Sequence, residues 1–202
     1  MRYLFGLILF LSFFSGLFGF SPKDALKELI DGNNRYILDK TLYADHSTSR
    51  RNQLLLGQRP FAIVLCCSDS RVIPEVIFDQ STGDLYVVRI AGNVLGAVEL
   101  ESIEFCAKTF GASLIFVLGH ESCGAVKAVM ENDDKEIEHI ATLMDPAVKN
   151  EKNLDTAVKD NVYFVVNQIK NDIRLKKFYD KRKLDCAGGF YKIASGKVEL
   201  LK

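Results

Sequence analysis

Two short runs, Phe61–Leu65 and Leu114–Leu118, are apolar at every position. A strand with one wet face alternates apolar and polar residues. A strand with no polar residue has to be covered on both faces, and helices flanking a parallel sheet do that. Leu85–Ile90, introduced by the turn residues Gly83-Asp84, reads as a third strand. Between the second and third runs in the chain, Val98–Phe110 carries apolar residues at helical spacing and Gly111 as its stop. Strands alternating with helices predict βαβ units. The expected fold class is α/β, with a mostly parallel central sheet flanked by helices.

The remaining chain fills out that plan. Pro22–Ile30 predicts a helix with Ser21 as N-cap, Pro22 in the first turn and Gly32-Asn33-Asn34 as its end. The polar stretch from Asp39 to Gln58 is expected to wind over a surface. Gly124–Met130, Asp155–Ile169 and Asp172–Tyr179 predict further helices, and Ser195-Gly196 predicts a closing hairpin between Leu184–Ile193 and Lys197–Leu201. A length of 202 residues fits one domain, expected over 21–202. Lys plus Arg equals Asp plus Glu at 26 each, so the chain has no electrostatic footprint for nucleic acid.

Residues 1–20 stand apart. Arg2 precedes an apolar run that ends at Phe20, and Ser21-Pro22-Lys23-Asp24 restores polarity. Charge, apolar run and polar boundary, in that order, read as a secretory signal. Export, to the periplasm in a bacterium, is the expectation. The run also approaches the length of a membrane span, so a retained membrane anchor is the alternative.

Chemistry concentrates just after the two all-apolar runs. Cys67-Ser68-Asp69-Ser70-Arg71 follows the first and His120-Glu121-Ser122-Cys123 follows the second. In open parallel sheets, sites form at the carboxyl ends of strands. The fold therefore brings both segments to one sheet edge, where they offer two thiolates and an imidazole, a ligand set that suits zinc. A Zn2+ at Cys67, His120 and Cys123 leaves a fourth position for water or for Asp69. Arg71 is spaced to clamp Asp69 and keep it ionised. A purely structural zinc normally closes with a fourth Cys or His. No second Cys-x-x-Cys is present, and His46 and His139 lie in polar segments. Cys66, Cys106 and Cys186 are expected to be apolar core filler, with Cys66 facing away from Cys67.

Cys67-Ser68-Asp69-Ser70-Arg71-Val72 and Gly119-His120-Glu121-Ser122-Cys123-Gly124-Ala125-Val126 together resemble the β-class carbonic anhydrases. Gly57-Gln58, Gly83–Val87, Ala91-Gly92-Asn93 and Gly189–Val198 extend the likeness over nearly everything after residue 20. The resemblance implies reversible hydration of carbon dioxide to bicarbonate and a proton by a hydroxide on zinc. It assigns one zinc per subunit to Cys67, His120 and Cys123. Asp69 and Arg71 become a catalytic dyad, with Asp69 a fourth zinc ligand in a closed state. Gln58, Tyr86 and the Gly124 N–H are expected to line the substrate pocket. A homodimer or dimer of dimers is the implied assembly. Ile90 after Arg89 departs from the family's usual Arg-Asn, and a chain without Trp cannot build the inhibitory bicarbonate site that some members have. The same fold and ligands would also suit hydrolysis of carbon disulfide or carbonyl sulfide. A non-catalytic zinc or redox module is the reading from another class.

Overall fold

The structure is a computed structural model that describes residues 19–42, 45–181 and 183–202. The leader's signal or anchor reading falls on residues 1–20, of which 1–18 lie outside the described residues. Five strands form one sheet: β1 (Ala62–Cys66), β2 (Leu85–Arg89), β3 (Leu114–His120), β4 (Asp185–Tyr191) and β5 (Val198–Leu201). Their spatial order is β2-β1-β3-β4-β5. All pairs are parallel except β4 with β5, the expected closing hairpin.

The two all-apolar runs are β1 and β3, two of the three strands with a neighbour on each side, and both are buried throughout. Their alternate residues feed different cores, as a two-residue period requires. Ile63, Leu65, Ile115 and Val117 pack with residues of α4 (Ala97–Thr109), α7 (Leu154–Asn171) and α8 (Ile173–Asp180). Ala62, Val64, Cys66, Leu114, Phe116 and Leu118 pack with α1 (Pro22–Ile37) and with the short helix α3 (Pro74–Ile77). A third cluster closes the carboxyl end of the sheet. There Cys67, Cys123 and Phe190 meet α5 (Gly124–Glu131), α6 (Glu138–Val148) and α7. Cys66 and Cys67 fall in different clusters, on opposite sides as alternation demands.

Two expectations are corrected. The first helix does not stop at Gly32-Asn33-Asn34 but continues to Ile37. Gly32 is there because α1 lies against Phe78: a Cβ would come within 1.8 Å of the Phe78 carbonyl oxygen. Asn33 is buried, and its amide donates to the carbonyls of Ile77 and Gly196 while its oxygen accepts from the Val198 N–H. These residues dock the helix onto the fold and do not end it. Second, the polar stretch before β1 contains a helix, α2 (Thr48–Gln53), capped by Ser47. The helix α6 has no counterpart in the sequence expectations above. Its Ile140, Ala141, Leu143, Met144, Ala147 and Val148 follow helical spacing, but Pro146 stands inside the run.

Candidate metal centre

The sheet brings the two polar segments together as its topology requires. Cys67 follows β1 directly, and His120 is the last residue of β3, the next strand over. The chain then turns tightly. Ser122 takes a left-handed backbone (φ 56°), and Cys123 becomes the N-cap of α5. Glu121 fixes this turn from outside: its N–H donates to the Tyr191 carbonyl at 2.9 Å, and its carboxylate accepts from the Ile193 N–H at 3.0 Å.

Cys67 Sγ and Cys123 Sγ stand 4.0 Å apart. With a His120 ring nitrogen they form a group whose ligand atoms all lie within 4.8 Å of one another. All three residues are buried. A tetrahedral ion with bonds of about 2.3 Å to sulfur separates two sulfurs by about 3.8 Å, close to the spacing here. The histidine supplies a second test. Its Nδ1 lies 2.9 Å from the Glu121 carbonyl oxygen. A carbonyl only accepts, so Nδ1 carries the proton and Nε2 presents a lone pair. That Nε2 is buried and, among the described residues, has no hydrogen-bond partner. A bare imidazole lone pair beside two sulfurs is costly unless something electrophilic sits between them. The donor set fits a zinc-type cation.

Two sulfurs this close oppose carrying two negative charges at once. Cys67 is held well below the usual thiol range, first by Cys123 and further by the N–H groups of Asp69 and Gly92, against a burial effect that raises it. Those N–H groups lie 3.4 Å and 3.3 Å from the Cys67 sulfur. Cys123 is driven up, first by its hydrogen bond to the Cys67 sulfur 4.0 Å away, then by burial and by the negative charge on that sulfur. Burial pushes the Cys66, Cys106 and Cys186 thiols up to about 12, as expected of core filler. His46 and His139 are exposed and lie outside the cluster.

Asp69 and Arg71 meet in the bidentate geometry that their spacing predicts. Arg71 Nε donates to Oδ1 at 2.9 Å, and its terminal nitrogen donates to Oδ2 at 2.7 Å. The Arg71 backbone N–H adds a third bond to Oδ1 at 2.9 Å. Arg71 first of all, and its backbone N–H after it, hold the Asp69 carboxyl well below the usual carboxylate range. Asp69 Oδ2 lies 4.0 Å from His120 Nε2, so the carboxylate overlooks the cluster while resting on the arginine. Arg89, missed as a site residue, shapes the same loop. Its guanidinium donates to the carbonyls of Cys67, Ser68 and Asp69, the last at 2.8 Å.

The carbonic anhydrase family profile matches residues 62–198, which contain every residue of this cluster. The chain belongs to the β-carbonic anhydrase family. Among curated relatives, the carbonic anhydrase of Mycolicibacterium smegmatis is 45% identical over 115 residues, 57% of this chain and 56% of that protein. Carbonic anhydrase 2 of Mycobacterium tuberculosis is 44% identical over 110 residues, 54% of this chain and 53% of that one. The chain thus matches somewhat over half the length of these relatives. The Pseudomonas aeruginosa carbonic anhydrase is 28% identical over 196 residues and 87% of each chain. Among solved structures, the β-carbonic anhydrase CcaA aligns with a TM-score of 0.68 at 25% identity, over 88% of this chain and 95% of that one.

The three expected pocket residues are divided by the family fold. Gly124 opens α5 next to Cys123, and a Cβ added there would meet nothing within 4 Å, so the space beside it is open. Gln58 precedes β1 and is exposed, at the amino end of the strand whose carboxyl end leads into Cys67. Tyr86 pairs in register with Ile63, near that same amino end, and stands against Phe110. A five-residue strand spans roughly 17 Å. One chain therefore brings Asp69, Arg71, Gly124 and the Cys–His–Cys cluster together, and leaves Gln58 and Tyr86 apart from them.

Proposed function

We propose that this chain is a zinc carbonic anhydrase, converting carbon dioxide and water to bicarbonate and a proton and back. The observation that carries the reading is an ionised carboxylate clamped by arginine 4.0 Å from a buried imidazole nitrogen that has no hydrogen-bond partner among the described residues. A cluster that only stapled two loops would gain nothing from such a carboxylate at its rim.

Cys67, His120 and Cys123 would hold one zinc per chain. When bound, the ion acts as a Lewis acid and makes a hydroxide nucleophile available near neutral pH. Asp69 stays ionised because Arg71 neutralises and hydrogen-bonds it, so it can only accept a hydrogen bond. An acceptor there would take a hydrogen bond from the attacking oxygen and orient it toward carbon dioxide. Held on Arg71, Asp69 would leave the open side of the cluster to water. Movement of Asp69 off Arg71 onto the metal would give the closed state. The Gly124 N–H, in open space at the start of α5, would hold a substrate oxygen as charge develops.

Gln58 and Tyr86 enter this site from a partner subunit. Two observations support that assembly: their separation from the cluster within one chain, and the partly exposed strand β2, which is the edge of the sheet among the described residues. A structure of similar fold, 20% identical to this chain, comes from a study of two β-carbonic anhydrases of Sordaria macrospora described as tetrameric. A homodimer, or a dimer of dimers, is the assembly proposed here. Export directed by the leader completes the reading. Periplasmic location follows if the host is bacterial and the leader is cleaved, and membrane attachment follows only if it is retained.

Stopped-flow assay of the zinc-loaded full chain tests the function. Rapid carbon dioxide hydration that rises toward alkaline pH is expected. No hydration from neutral to alkaline pH, with carbon disulfide or carbonyl sulfide consumed instead, would reject it.

A further inference from the structure

The cluster is supported from behind by a residue that no motif singled out. Asn161 sits on α7, across the sheet end from the metal ligands, and is fully buried. Its side-chain amide donates to the Gly92 carbonyl at 2.8 Å. The amide orientation is determined, because turning it over would set oxygen against oxygen. Gly92 in turn donates its own N–H to Cys67 Sγ at 3.3 Å.

Gly92 needs holding. It occupies a left-handed backbone (φ 68°) inside the turn Ala91–Asn93. A Cβ there would lie 2.2 Å from the Met144 methyl, on a backbone conformation that side chains rarely adopt, so glycine is favoured. Glycine is also the residue most free to rotate away. Two bonds hold the peptide after it: Asn161 on its carbonyl, and the Asn93 N–H on the Ile90 carbonyl at 2.9 Å. With that peptide fixed, the preceding N–H stays aimed at sulfur.

We propose that Asn161 is a positioning residue of the metal centre, acting through Gly92 to keep an N–H bond on the Cys67 thiolate. The proposal rests on the zinc reading above. An N–H on a thiolate draws charge off the sulfur. That lets two thiolates bind a dication while leaving it electrophilic, and it fixes the sulfur's direction. Asp69 and Arg71 act on the open side of the cluster; Asn161 and Gly92 act on its buried side.

The test replaces Asn161 by Leu, which keeps bulk and removes the donor. The readouts are zinc affinity by chelator competition and the sulfur-to-cobalt charge-transfer band of the cobalt-substituted full chain. Val165→Ala, at a buried position one turn further along α7, is the packing control. For Asn161→Leu, a 10- to 100-fold loss of zinc affinity and a displaced charge-transfer band are expected, as for loss of an outer-shell partner. Val165→Ala should leave the band in place. An unchanged affinity and band in Asn161→Leu, or an equal shift in Val165→Ala, would overturn the proposal. A parent chain that binds no zinc would instead reject the metal reading itself. Should Asn161→Leu fail to fold, the parent loaded with 113Cd gives an independent answer. Coupling from cadmium to the Gly92 amide proton supports the relay, and its absence overturns it.

Discussion

The two ends of the sheet differ in what a single chain can finish. At the carboxyl end, Cys67, Asp69, Arg71, His120 and Cys123 come from two segments about fifty residues apart, yet they are bonded into one cluster. At the amino end, Gln58 is exposed and Tyr86 packs against Phe110 and the α4 core. Topology explains the contrast. Neighbouring parallel strands bring their carboxyl ends together inside one chain. The amino ends gather the other loops, which within one chain stay apart from the cluster. The first end is expected to determine whether chemistry occurs, and the second how well substrate is received.

The largest effect should come from breaking the carboxyl end. Cys123→Ser removes one of two thiolates and is expected to abolish stoichiometric zinc and all measurable turnover. Metal analysis together with the hydration assay checks both. Zinc retained at full occupancy would remove Cys123 from the ligand set.

A smaller effect is expected from the amino end. Gln58→Ala should lower kcat/KM about fivefold, the loss of one hydrogen bond worth about 1 kcal/mol, with zinc unchanged. The comparison sharpens when variants are mixed. A Gln58→Ala subunit has an intact cluster, and a Cys123→Ser subunit has an intact Gln58. Exchange between them should give hybrid sites at parental efficiency. If mixing restores nothing, Gln58 does not serve the partner's cluster.

The smallest effect concerns a cysteine in the body of the fold. Burial raises the Cys106 thiol to about 12, well above an unfolded thiol near 8.5. The unfolded chain therefore loses this proton first as pH rises. The stability it contributes is complete below the unfolded value and is lost progressively between that value and about 12. Cys106→Ala should be modestly less stable at neutral pH and fall less steeply on the alkaline side, read from denaturant midpoints at several pH values. An unchanged alkaline slope would contradict the burial argument.

How much of this could be read from the chain alone follows the same division. The α/β class, the strand-end placement of both motifs and the Asp69–Arg71 clamp follow from local rules: uninterrupted apolar runs, two-residue alternation and a spacing of two residues. What failed required knowledge of distant partners. Gly32-Asn33-Asn34 looks like a helix stop, yet Asn33 is spent on Ile77, Gly196 and Val198, up to 165 residues away. The helix α6 was hidden by Pro146 within its apolar spacing. Arg89 and Asn161 have no local signature at all. Their roles exist only once β2 and α7 are folded beside the Cys67 loop.

The central claim is that the carboxyl-end cluster is a catalytic zinc site and does more than link two loops. Asp69→Asn tests it most directly, with zinc content and carbon dioxide hydration measured on the same sample. An asparagine keeps the shape but loses the charge and half of the acceptor capacity. The account predicts one zinc per chain retained and turnover reduced by about 10²- to 10⁴-fold. Turnover within a few-fold of the parent at full zinc occupancy would contradict it.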